Sequence, residues 1–174
     1  MIPISIIQAL NKDVCDLLWT LKGMSLSQAP GPFHPPYYRI GKQRISEQEA
    51  RFGYAQILQS KYFSGGKAPF SYSVETPTQG KYHFSGDVKN ARSAQVDMSL
   101  YNLLHSATPQ CHIEFKCGVA TEDAIAKDVE KLIGETILSD ALGVFFHVMN
   151  ASDANTMRQL SDKFMAAMPK AITQ

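Results

Sequence analysis

The chain has 174 residues, 44% of them apolar and 19% charged, with a formal net charge of +1. Such values describe one globular domain with enough chain to bury a core, and they exclude wholesale disorder. A charge so close to zero leaves nucleic acid open as a partner only if the basic residues gather on one face.

Three cysteines, Cys15, Cys111 and Cys117, leave one over and show no Cys-x-x-Cys spacing. A disulfide framework and a structural zinc site are therefore not expected, and a reducing cytoplasm is. The first residues are apolar but lack a basic lead-in, and Asn11, Lys12, Asp13 and Asp16 interrupt them. The segment reads as neither a signal peptide nor a membrane span, and no membrane partner is expected. No internal repeat is visible.

From about Pro3 to Lys22 the spacing predicts a helix, with Ile7, Leu10, Val14, Leu17 and Leu21 in a narrow apolar stripe and Gly23 as its stop. The stripe could be the seam of a homodimer, but it is short, and packing on the domain's own body is the preferred reading. A connector then runs to Ile45, with Pro30, Pro32, Pro35 and Pro36 among Phe33, Tyr37, Tyr38, Arg39, Lys42 and Arg44. Aromatics among cations suit stacking on bases. A loop whose rings pack on the core and whose cations are solvated explains them equally well, and is preferred.

Ser46-Glu47-Gln48-Glu49 has capping-box form and opens a second helix. Its inner face is Ala50, Tyr54, Ile57, Leu58 and Lys61/Tyr62, and Ser64-Gly65-Gly66 ends it. Phe70 to Glu75 alternates as a first strand, expected to stop at Thr76-Pro77. Residues 79–93 read as a hairpin or loop around a short Tyr82-His83-Phe84 piece. Two alternating strands follow, Gln95–Leu100 and Cys111–Cys117, separated by a turn containing Pro109.

A third helix is predicted from Thr121 to Ser139, with Glu122 and Asp123 favouring its N-terminus and Ile125, Val129, Leu132, Ile133 and Ile137 inward. The apolar run Leu142 to Met149 suggests a central strand covered on both faces. Ser152 or Asp153 caps a last helix with Met157, Leu160, Phe164 and Met168 inward. The order implies an α/β (α+β) mixed sheet flanked by helices. A single domain spans 1–174, with the first helix and connector over 1–45, a core over 46–150 and the last helix over 151–174.

Alternation also sorts the polar residues. Asp97 shares a strand face with Gln95 and Ser99, opposite Val96, Met98 and Leu100; His112, Glu114 and Lys116 share a face, opposite Ile113 and Phe115. If the two strands are neighbours, an aspartate, a glutamate and a lysine meet on one patch. Acid-x-Lys triplets occur by chance, and Asp87-Val88-Lys89 is a second one, but only Glu114-Phe115-Lys116 lies on a predicted strand and runs into a helix.

With this element order, the triad resembles the PD-(D/E)xK nuclease superfamily, the restriction-endonuclease-like fold with an αβββαβ core. The resemblance runs from the Ser46 helix to the Val144 strand, with Val96 in the place of the motif's proline. It implies a Mg²⁺-dependent nuclease, with Mn²⁺ as substitute, that hydrolyses phosphodiester bonds. The expected partner is nucleic acid, DNA ahead of RNA, and the expected type an endonuclease of the restriction or repair kind. Asp97 and Glu114 would be carboxylate ligands, the Phe115 carbonyl a backbone ligand, and Lys116 the residue that orients water or steadies negative charge.

The additional acid that many members carry would be Glu49 or Glu47 from the helix, or Glu75 from the first strand; capping already explains Glu49. Lys127 and Lys131 could face a phosphate backbone, though such a pair more often marks the wet side of a helix. His112 could reach substrate or be a plain strand residue. Cys117 reads as a small filler, because no partner base is evident. Three alternatives stand beside the nuclease: a solvated sheet face whose opposite charges pair as ordinary surface groups, a non-catalytic nucleic-acid-binding or protein-assembly module on the same fold, and an unrelated α+β enzyme using Cys117 and His112.

Overall fold

The structure is a computed structural model, and it describes residues 2–22, 45–62, 70–82, 92–102, 108–149 and 154–172. In chain order these form α1 (Ile4–Lys22), α2 (Glu47–Tyr62), β1 (Phe70–Tyr82), β2 (Arg92–Asn102), β3 (Pro109–Cys117), α3 (Glu122–Ser139), β4 (Leu142–Val148) and α4 (Ala154–Ile172). The connector from Gly23 to Arg44, the His83-Phe84 pair and the Asp87-Val88-Lys89 triplet lie outside the described residues.

The strands form one mixed sheet in the order β1-β2-β3-β4. β1 and β2 are antiparallel, as are β2 and β3, whereas β3 and β4 are parallel. A parallel pair cannot be joined by a tight turn, and α3 supplies the crossover. Helices cover both faces, so the chain is α/β with a mixed sheet.

Alternation in β2 and β3 sends Met98, Leu100, Cys111, Ile113 and Phe115 to one face, where they pack with Phe146 under α1 and α2. The rings of Tyr54, Phe115 and Phe146 meet edge to face, with centroids 5.5 to 5.9 Å apart. This geometry ties α2 to the two parallel strands. The α1 stripe also faces this core, through Ile7, Leu10, Val14, Leu18 and Leu21, with Leu18 rather than Leu17 fully buried. That burial removes it as a dimer seam. Gly53 is buried on α2 beside Val14, Leu17 and Leu18, so the two helices approach closely there. Lys61, expected on the inner face, is exposed. On the opposite side of the sheet, Ile125, Ala126 and Val129 of α3 pack with Ala167 of α4 and with Phe145.

Three expectations need correction. Thr76-Pro77 does not stop β1: Thr76 pairs with Val96 and Pro77 with Gln95, and the register shifts only between Pro77 and Lys81. β1 lies at one end of the sheet, where a residue without an N–H is tolerated. β4 is not central; it lies at the other end, and its apolar character reflects helices on both faces rather than strands on both sides. Ile137 and Met157, expected inward on their helices, are exposed, while Asp128, Lys131 and Glu135, which were not expected inward, are buried. α3 therefore presents two stripes to the body of the protein, one apolar and one polar.

Candidate functional site

The polar stripe of α3 covers the polar face of β2 and β3. Asp97 and Glu114 are set by the point at which those strands part. The ladder runs through Ser99↔His112 and Met98↔Ile113. One residue further, the Asp97 Oδ2 accepts the Phe115 N–H at 2.8 Å, and the Glu114 Oε1 accepts the Asp97 N–H at 3.3 Å. Each carboxylate thus stands in for a backbone acceptor on the opposite strand, satisfying N–H groups that the diverging ladder leaves open. Two acids far apart in the chain are clasped together.

Cations from both helix layers meet them. Arg51 of α2 reaches Asp97 Oδ1 through Nη2 at 2.7 Å and Glu75 Oε1 through Nη1 at 3.3 Å. Its Nε is buried without an acceptor among the described residues. Lys131 of α3 reaches Glu114 Oε1 at 2.8 Å, donates to the Gln95 carbonyl at 2.7 Å and lies 3.8 Å from Asp128. Lys116 bridges Asp128 at 2.8 Å and Glu47 at 3.0 Å.

Burial decides the electrostatics. Glu114 is only 2% exposed. Desolvation raises its pKa to about 8, Lys131 opposes the rise, and the charges of Asp97 and Asp128 add to it. For Lys116, burial favours the neutral form, but hydrogen bonds and charge from Asp128 and then Glu47 outweigh it, so its pKa is raised and the ammonium persists. Five carboxyl groups (Glu47, Glu75, Asp97, Glu114, Asp128) face three cations (Arg51, Lys116, Lys131), an excess of two negative charges when all are ionised.

The other sequence candidates divide. Glu49 accepts the Ser46 N–H at 2.6 Å, which is one half of a capping box, and also accepts from the Ser46 hydroxyl. Its carboxylate is engaged there, and Glu47 is the α2 acid that meets the cluster. Glu75 enters through Arg51. His112 shares the Glu114 face but is buried: its Nδ1 pairs with Ser99 Oγ at 2.9 Å and its Nε2 with Ser139 Oγ at 3.1 Å. Ser139 donates to the Glu135 carbonyl at 2.5 Å, so Nε2–H is the donor to Ser139 and Nδ1 accepts from Ser99. Desolvation lowers the His112 pKa and keeps this neutral tautomer. Burial, then Glu47 and Glu49, push the Cys117 thiol up to about 12, which suits a filler and not a nucleophile. Lys127 is exposed, but Lys131 is buried on Glu114, so the two do not form a wet stripe.

Arg51, Asp128 and Glu135 were not singled out by sequence reasoning. Glu135 is 1% exposed and accepts the Gln79 and Gly80 N–H groups and the Tyr82 hydroxyl at 2.8–2.9 Å. A signal existed: Asp128, Lys131 and Glu135 repeat at helical spacing, matching the polar face predicted for the sheet.

Asp97 and Glu114 are the donors that a divalent metal would meet here. Among the described residues, no three carboxylate, imidazole or thiol groups form a ready-made cage. The donor chemistry nevertheless fits a hard cation, since Asp97 and Glu114 offer oxygen and the cluster carries surplus negative charge. Arg51 and Lys131 hold those oxygens in their place. No family model, no curated protein and no solved structure matches the chain.

Proposed function

We propose that the chain is a Mg²⁺-dependent nuclease on a restriction-endonuclease-like core, cutting DNA as an endonuclease of the restriction or repair kind. One observation carries the reading: where β2 and β3 part, the Asp97 carboxylate accepts the Phe115 N–H and the Glu114 carboxylate accepts the Asp97 N–H, and Lys116 follows on the same face as Glu114. The order α2-β1-β2-β3-α3-β4 supports it, because it is the order in which the PD-(D/E)xK core sets its triad. Glu47, meeting Lys116 from the helix before the sheet, supports an additional acid there.

In this reading Asp97, Glu114 and the Phe115 carbonyl hold the metal. When bound, the metal supplies acidity to a coordinated water and positive charge to the phosphate oxygens. Lys116 is better suited to steadying the negative charge of the transition state than to taking a proton, because its acids keep it cationic. Asp128 and Glu47 act on Lys116 as positioning residues, fixing the ammonium from two sides. Free thiols at Cys15, Cys111 and Cys117 suit a cytoplasmic protein, and no helix among the described residues is long and apolar enough to cross a membrane.

The test is cleavage of supercoiled plasmid and of single-stranded RNA with Mg²⁺ or Mn²⁺. The wild type is expected to nick the plasmid; Asp97→Asn and Lys116→Met, folded by circular dichroism, are expected to lose at least about a hundredfold in rate. Cutting that survives both substitutions would dismiss the site. A second reading, a non-catalytic binding or assembly module, is favoured by the ion pairs that already occupy both acids. It predicts no cleavage and no rise in melting temperature with Mn²⁺.

A further inference from the structure

We infer that Arg51 is an exchangeable counter-ion: it occupies Asp97 in the metal-free chain and yields that carboxylate when a divalent cation binds. The inference rests on the metal-dependent reading above and assigns a role to a residue outside the triad.

The cations on the two clasped acids are held differently. The ammonium of Lys131 is enclosed, only 8% exposed, with the Gln95 carbonyl at 2.7 Å and Asp128 at 3.8 Å besides Glu114. It is held at three points, with no solvent-exposed carboxylate partner to move to among the described residues. Arg51 is divided between Asp97, 20% exposed, and Glu75, 59% exposed. Its two partners lie along a gradient from the interior to solvent. A guanidinium that releases Asp97 therefore keeps a carboxylate partner on its outward side, and the exchange does not strand a charge in the core.

Two further observations mark this position as unsettled. The Arg51 Nε is enclosed without an acceptor among the described residues, which leave that donor of the side chain unmet. Glu75 has φ of 50°, a left-handed conformation uncommon for a residue other than glycine, within β1. The Glu75 carboxylate at this position is the more exposed of the two Arg51 partners and is the one the guanidinium keeps on releasing Asp97.

Competition for one oxygen has a direct consequence. Whatever free energy Arg51 gains from Asp97 Oδ1 is subtracted from the affinity of a metal for the same atom. Removing the guanidinium should tighten metal binding, even though the residue sits in the site and its loss would ordinarily be expected to harm it. Lys116 takes no part in this competition, because it is engaged by Asp128 and Glu47.

The experiment is calorimetric titration of the full chain with MnCl₂, at fixed ionic strength and without nucleic acid, for wild type, Arg51→Gln, Asp97→Asn and the double variant. Arg51→Gln is expected to bind Mn²⁺ about tenfold tighter than wild type, with the gain abolished in the double variant. Equal or weaker binding by Arg51→Gln, while wild type binds, overturns the counter-ion role and leaves the metal reading standing. Absence of binding to both wild type and Arg51→Gln overturns the two together. Should Arg51→Gln fail to fold, Arg51→Lys replaces it. A lysine keeps the charge but lacks the fork that spans two acids, so Mn²⁺ affinity above wild type supports the exchange, and affinity at or below wild type counts against it.

Discussion

Glu114 is the residue at which the physics of the site is most exposed to test. It is buried, paired with Lys131 and surrounded by further acids, and burial wins, raising its pKa from 4.5 to about 8. A raised carboxyl pKa contributes its stability fully below pH 4.5 and loses it as pH climbs through about 8, because the folded protein holds a proton that the unfolded chain releases. Glu114→Gln cannot ionise. Its melting temperature should therefore gain on that of the wild type as pH rises across that interval, measured by circular dichroism at several pH values. A wild type that instead gains on the variant would show that Lys131 dominates and the carboxylate is ionised throughout. His112 acts with the opposite sign. Its pKa is lowered from 6.5 by desolvation, so its share of stability is present above pH 6.5 and is lost as pH falls below it. His112→Gln should lack that acid-side loss in the same series.

At the scale of elements, α3 does most to define the site; its bounds were legible, but its polar stripe was not. Its apolar residues at helical spacing revealed a helix and an inward side, but Ile137 fits that spacing and is 76% exposed. The polar stripe of Asp128, Lys131 and Glu135 is equally regular. It is buried because it lies against a polar sheet face, a match that only long-range pairing creates. Burial of charge follows from the partner surface, not from residue type alone. Glu135 is the strongest case, a carboxylate that joins α3 to the far part of β1 by accepting three donors. Glu135→Ala would leave those donors without their partner and should cost about 3 kcal/mol or more in urea unfolding, whereas an exposed residue such as Lys127→Ala should cost less than about 0.5 kcal/mol. Similar losses in both variants would remove Glu135 from this role. β1 teaches a related lesson: Pro77 reads as a stop until its place at the sheet end is known.

For the whole molecule, the order of elements and the mixed sheet followed from periodicity, because strands of period two and helices of period 3.6 leave different traces in a sequence. The juxtaposition of Asp97 with Glu114 was legible as soon as β2 and β3 were taken as neighbours, and their alternation put Lys116 on the same side. What the sequence could not convey was the set of cations that now satisfy the two acids. Arg51 lies one helical turn beyond Glu47, and Lys131 on the crossover helix; neither has a local pattern that names its partner. Whether Arg51 yields its carboxylate to a metal ion is what separates a metal centre from a structural ion-pair cluster. Diffraction from a crystal soaked in Mn²⁺, recorded for anomalous scattering, distinguishes these directly. A single peak about 2.1 Å from oxygens of both Asp97 and Glu114, with Arg51 withdrawn toward Glu75, is the predicted result. Saturating Mn²⁺ with no peak there, and with Arg51 and Lys131 still paired to the same two carboxylates, would contradict it.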